Sequence, residues 1–309
     1  MSTEIKTLNF KSTSGLWDIN AKCYASENPV GIVQITHGMA EHIERYDKFA
    51  KYLSDNGYAV YLHDHIGHGA SVENDEKLGY FGEENGQKVF VDDVHELNKI
   101  AHSEFPDLPV VLFGHSMGSF VARSYCTKYP DTISAAIFCG TAGPNPAAKI
   151  GELIASAIAK AKGSFYRSKF IDKMAFGTYC KKIQNPKTTY DWLTRDATIV
   201  DEYIADPYCG FLFTAKGYRD MFRLLQEVSA KDWYAKIPAN LPLFLIAGEE
   251  DPVGAYGKGV MTVVDELKAT GHQVDSKIYP DCRHEILNEI NYKKVFADTL
   301  DWIKSVTDA

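Results

Sequence analysis

Pro109-Val110-Val111-Leu112-Phe113-Gly114-His115-Ser116-Met117-Gly118-Ser119-Phe120 decides the fold of this chain. The first five residues form an apolar, β-rich run of the kind that fills the middle of a parallel sheet, and Phe120 to Tyr125 open a helix. A serine at such a junction is forced into a sharp turn. Its hydroxyl projects from the carboxyl end of the strand, above the N–H groups of its own helix. Glycine is needed on both sides, because a side chain at Gly114 or Gly118 would collide with neighbouring backbone. An ordinary glycine-bounded turn has the same pattern, so the rest of the chain must decide between a nucleophile and a turn.

Around this stretch the sequence alternates. Ile5 to Thr13 and Leu16 to Tyr24 read as an antiparallel hairpin about Ser14-Gly15. Short β-rich runs follow at Gly31–Thr36, Ala59–Leu62, Pro109–Phe113, Ile133–Phe138, Leu241–Ile246 and Val274–Tyr279. Helical patterns lie between most of them, at Tyr46–Asn56, Val89–His102, Val260–Ala269 and Lys293–Val306. Strand alternating with helix predicts an α/β protein, with a mostly parallel eight-stranded sheet and helices on both faces. From Gly143 to Ala239 no β run interrupts the helical and loop patterns. The expected organisation is therefore a core of residues 1–142 and 240–309 carrying a helical cap of residues 143–239. In the cap, Ile150, Leu153, Ile154, Ala157, Ile158 and Ala161 recur at helical spacing. That face either packs on the core, lines a pocket or meets a membrane.

The chain has 309 residues, 45% of them hydrophobic and 24% charged, with a formal net charge of -8. This describes an ordinary soluble globule and argues against nucleic acid, whose phosphates demand a cationic face. The polar stretch Met1 to Gly15 lacks the apolar core of a signal peptide, and no run is long enough to span a bilayer. Cys23, Cys126, Cys139, Cys180, Cys209 and Cys282 form no CxxC pair, and read as free thiols of a cytoplasmic protein.

A serine hydroxyl is a poor nucleophile until a base, an acid that orients the base, and oxyanion donors surround it. In a doubly wound sheet these come from loops at the carboxyl ends of strands. His284 is the one histidine following the last expected strand, in a polar loop from which an imidazole can reach back to Ser116. For the acid, Asp251 is favoured over Glu249 and Glu250 because the residue before a proline is held extended at the strand's exit. The order Ser116, Asp251, His284 is that of an α/β-hydrolase. One oxyanion donor is the N–H of Met117. The second is the N–H of Met39, on the loop after the first parallel strand, where Gly38 allows close approach of the backbone. Asp64, His65 and His68 form a polar turn that reads as local hydrogen bonding from Asp64 and Ser71, braced against the oxyanion loop, and not as a metal site. Cys282 reads as a small buried filler.

The strings HGMAEH (37–42), DHIGHGAS (64–71), GHSMGS (114–119), AGEEDPVG (247–254) and RHEILNE (283–289) resemble the monoacylglycerol lipase and lysophospholipase group of α/β-hydrolases. WLTRD (192–196) and DPYCGF (206–211) are similar to the lid of bacterial members. The resemblance implies a Ser116–Asp251–His284 triad, oxyanion donors at Met39 and Met117, and a cap over an acyl pocket. Met39 stands where mammalian monoacylglycerol lipases carry smaller residues, and is expected to reshape the acyl entrance. The expected activity is hydrolysis of carboxylic esters with apolar acyl groups, monoacylglycerols or lysophospholipids, with no metal or organic cofactor and with transient membrane or micelle contact through the cap. Two alternatives stand beside it. An aminopeptidase or amidase would need an acidic pocket, which Glu202, Asp206 and Glu227 could supply. A receptor would keep the triad and sense a small ligand.

Overall fold

The computed structural model describes residues 4–307; residues 1–3 and 308–309, the outer ends of the expected core, lie outside the described residues. Two antiparallel strands, β1 (Glu4–Lys11) and β2 (Asp18–Ala25), open the chain as the expected hairpin. The alternating part follows as β3 (Gly31–Thr36), α1 (Asp47–Asp55), β4 (Tyr58–His63), α2 (Gly86–Glu104), β5 (Val110–His115), α3 (Met117–Lys128) and β6 (Ala135–Cys139). Four helices come next: α4 (Ala148–Lys162), α5 (Lys169–Phe176), α6 (Ala197–Ala205) and α7 (Ala215–Ser229). The sheet resumes with β7 (Leu243–Gly248), α8 (Lys258–Ala269), β8 (Val274–Tyr279) and α9 (Tyr292–Thr307). The strands form one eight-stranded sheet in the order β1-β2-β4-β3-β5-β6-β7-β8, parallel from β4 to β8.

The central strands are buried on both faces, and their side chains divide between two apolar layers with the period of two that a pleated strand imposes. Ile32, Leu112, Phe138 and Leu245 pack with Phe90 of α2, Val121 of α3 and Val264 of α8. Their neighbours Val33, Phe113, Ile137 and Ile246 pack on the other side, with Phe49 of α1 and Phe296 of α9. With β5 third from the β4 flank of the parallel run and fourth from the β8 flank, the loops after β3, β5, β7 and β8 gather at one edge of the sheet.

Among the described residues between β6 and β7 there is no strand. Local capping sets the helix starts there: Ser168, Asp196 and Thr214 each accept a hydrogen bond from an N–H in the first turn of the helix that follows. The apolar stripe expected on α4 does not face inward as a unit. The buried seam is Ala148, Gly151, Ala155 and Ala159, which lets α4 lie close against α7, while Ile150 and Leu153 are 61% and 59% exposed. Small residues win the interface because Phe222 of α7 fills the space beside Gly151. Arg123 of α3 is fully buried and donates to the carbonyls of Ala142 and Val228, which ties the segment to the sheet.

Candidate active site

Ser116 sits between the end of β5 and the start of α3 with φ +53° and ψ −121°, a conformation that a non-glycine residue adopts only under constraint. The constraint is local. A Cβ on Gly114 would meet the carbonyl of Gly118, and one on Gly118 would meet the carbonyls of Thr36 and His37. The Ser116 N–H is held by the carbonyl of Cys139 on the adjacent strand, 2.9 Å away. The turn thus presents the serine hydroxyl at the sheet edge.

The loops after β7 and β8 meet beside it. His284 and Asp251 are buried, and His284 Nδ1 lies 3.0 Å from Asp251 Oδ2. The two groups approach without aligned hydrogen-bond geometry. The other Asp251 oxygen accepts the N–H of Val253 at 2.8 Å. Glu249 and Glu250 are exposed, and the carboxylate of the second lies 3.6 Å from Arg283. Met39, Met117, Ser116 and His284 line one cavity of ≈ 660 Å³ beneath α4, α5 and α7. The Gly38 N–H is committed to Glu41 Oε1 at 2.6 Å, which leaves Met39 as the next main-chain donor of its loop.

Beneath the loop a buried charged network, which the sequence reading missed, ties it to the loop that carries His284. Glu41 accepts from Tyr46 and lies 3.4 Å from His115 Nδ1, and Arg45 bridges Glu41 to Glu285 with contacts of 2.5 and 2.6 Å. Burial alone would push the Glu41 carboxyl up, but His115 and Arg45 outweigh it and hold it well below the usual carboxylate range. The signal available in the sequence is that Glu41 and Glu285 flank expected site residues and that Arg45 follows Glu41 by one helical turn.

The polar turn at 64–71 is built as expected. Asp64 accepts from Ile43 N, Ala70 N and Asn20 Nδ2, and Ser71 accepts from Asn20 N. His65 bonds Thr36, and His68 bonds its own turn at the Ile66 carbonyl. His42, Asp206 and Cys209 also converge, linking the Met39 loop to the segment after α6. His42 Nε2 is 2.8 Å from Asp206 Oδ2, a hydrogen bond that latches the two segments together, and burial pushes the neighbouring Cys209 thiol up. Cys282 is buried with its thiol raised by burial, which suits a filler.

Residues 27–291 match the Hydrolase_4 family, described as serine aminopeptidase, S33. The chain belongs to the Hydrolase_4 family. Among its relatives is a monoacylglycerol lipase of Mycolicibacterium smegmatis, 30% identical over 90% of this chain and 89% of that one. A human monoglyceride lipase is 26% identical over 90% of this chain and 84% of its own. In structure, a thermostable carboxyl esterase from Bacillus coagulans, solved with glycerol, superposes with a TM-score of 0.93 at 31% identity, over 99% of this chain and 100% of that one. This Hydrolase_4 protein is thus a hydrolytic enzyme with the α/β-hydrolase fold, of the monoacylglycerol lipase and esterase type.

Proposed function

We propose that this enzyme is a serine carboxylic-ester hydrolase acting on monoacylglycerols or lysophospholipids through an acyl-enzyme. In this reading His284 takes the proton of Ser116 as the hydroxyl attacks the ester carbonyl, and returns it to the leaving alcohol. Asp251 fixes the imidazole tautomer and stabilises the imidazolium, while the N–H groups of Met39 and Met117 hold the oxyanion. Water then repeats the sequence on the acyl-enzyme. Residues 143–239 are the cap over the acyl pocket. The observation that carries the reading is the cavity itself: a strained serine and a buried histidine, backed by Asp251, line a chamber walled by Met39, Phe120, Phe211, Met221, Phe222 and Leu225. Its ≈ 660 Å³ falls within the roughly 300–1,000 Å³ of small-molecule sites.

The amine-binding alternative finds less support. Of its three candidate acids, Asp206 is paired with His42, Glu227 accepts from Ser124, Glu202 is exposed, and none lines the cavity. The acids that do line it are engaged elsewhere, Glu41 and Glu285 with Arg45 and Asp172 with Tyr218.

Lipid substrates come in aggregates, and the cap presents a fitting surface: Ile150, Leu153, Phe170 and Met174 are exposed on α4 and α5, with Lys149, Lys169 and Lys173 beside them. We assign transient micelle or membrane contact to that face. No helix among the described residues is long and apolar enough to cross a membrane. All six cysteines are unpaired, which suits a reducing cytoplasm.

Fluorophosphonate labelling of wild type and Ser116→Ala, run beside p-nitrophenyl esters of two to sixteen carbons and an aminoacyl anilide, tests the reading. Labelling confined to wild type, with longer acyl esters preferred, is the expected result. Label on the alanine variant removes the nucleophile, turnover of the anilide above every ester removes the esterase assignment, and tight ligand binding without turnover points to a receptor.

A further inference from the structure

The loop that carries His284 has an unusual source of support. Between β8 and α9 the chain runs outside the sheet, so its N–H groups must find partners elsewhere. Around the histidine three consecutive donors do so in the same neighbourhood. The N–H of Arg283 goes to Glu289 Oε1 at 2.9 Å, that of His284 to the Trp192 carbonyl at 3.4 Å, and that of Glu285 to the Leu193 carbonyl at 2.7 Å. Two of these three partners belong to the segment between β6 and β7, more than eighty positions earlier in the sequence.

Glu289 closes the arrangement. Its side chain is fully buried, yet its carboxylate accepts from Arg283 N, Arg195 N, Arg195 Nε and Ile290 N at 2.9 to 3.2 Å. A buried carboxylate is tolerated only when its lone pairs are filled, and here they are filled by donors from two different segments. Thr194 Oγ1 adds a bond to the Asn288 carbonyl at 3.0 Å, and Arg283 Nη1 reaches the carbonyls of Asp191 and Thr194 at 2.7 and 3.1 Å. The Trp192 indole lies against the His284 imidazole with ring centroids 5.0 Å apart.

From this geometry we infer that residues 191–196 act as a clamp on the catalytic base, with Arg195 and Glu289 as positioning residues that fix His284 relative to Asp251. The inference rests on the triad proposed above. It divides the region between β6 and β7 by role. The exposed helices α4 and α5 face lipid, whereas residues 191–196 are as much a part of the catalytic frame as the sheet. Neither positioning residue touches substrate; both act through the backbone of 283–285.

The test compares wild type with Arg195→Ala, Arg195→Lys and Glu289→Gln in the kcat and KM of p-nitrophenyl ester turnover, with Ser116→Ala and His284→Ala alongside, all below their melting transitions. A catalytic group displaced by about 1 Å loses on the order of 100-fold in rate. Arg195→Ala should show such a fall in kcat with KM little changed. Arg195→Lys, which keeps the charge, should recover part of the rate. An unchanged kcat in Arg195→Ala, a loss that falls on KM instead of kcat, or no recovery in Arg195→Lys overturns the clamp. Arg195 is 28% exposed at its side chain and so decides the question even if Glu289→Gln does not fold. Retained activity in Ser116→Ala or His284→Ala would reject the triad instead, a result independent of the clamp variants.

Discussion

At the scale of single residues, the candidate site is a set of side chains each held by something other than its proposed catalytic partner. Ser116 is held by strain and by the Cys139 carbonyl, Asp251 by the Val253 N–H, and Glu41 by Tyr46 and Arg45. Asp251 is the most telling of these for the proposed mechanism. Asp251→Asn preserves shape but removes the charge that fixes the tautomer, and should lower turnover by a factor on the order of 10⁴ at neutral pH. Steady-state kinetics on a p-nitrophenyl ester measures this, and wild-type turnover in the variant would move the orienting role to Glu249 or Glu250 despite their exposure. The choice among these three acids rested in the sequence on Pro252 alone; in the structure it rests on burial and a 3.0 Å approach.

At the scale of elements, α4 separates packing from surface on one helix. Ala155 is fully buried in the seam with α7, so Ala155→Leu must push the helices apart and should destabilise by about 1–3 kcal/mol in urea denaturation. Leu153, two residues away on the opposite face of the helix and exposed, should tolerate serine within about 0.5 kcal/mol. Leu153→Ser together with Phe170→Ser should nonetheless lower sedimentation with zwitterionic liposomes; sedimentation equal to wild type would remove the lipid-facing assignment. The sequence showed that an apolar stripe exists on this helix. It could not show which residues of the stripe meet α7, because that depends on the bulk of Phe222, seventy positions away.

At the scale of the whole molecule, acid sensitivity follows from histidines buried without charge. Burial pushes His63 down to about 3, and His65 and His68 well below their ordinary value, with neighbouring imidazoles adding to the effect. These groups bind protons more readily unfolded, where the pKa is about 6.5, than folded. Their contribution is therefore complete above about pH 6.5 and is lost as pH falls toward the folded values. Unfolding free energy from urea curves should decline between roughly pH 6.5 and 4. Among the described residues His63 has no hydrogen-bond partner for either ring nitrogen, so His63→Leu should fold and should flatten that slope by up to one proton, about 1.4 kcal/mol per pH unit. An unchanged slope would assign the acid sensitivity to other groups.

The sequence by itself determined the sheet, its order of strands and helices, and the residues gathered at its carboxyl edge. Apolar runs of five or six residues bounded by glycine permit little else, and a doubly wound sheet brings the loops after its central strands together whatever their detail. Strand ends moved by one or two residues, since the ladder continues through Gly114 and His115 where composition turns polar. Tertiary structure alone decided how the segment between β6 and β7 is used. Its helices carry period but no record of their partners, and the bonds from Trp192, Leu193 and Arg195 to the His284 loop join residues that no local pattern links. Long-range burial of one carboxylate, Glu289, made that connection necessary: once it leaves water, donors must come to it from both segments.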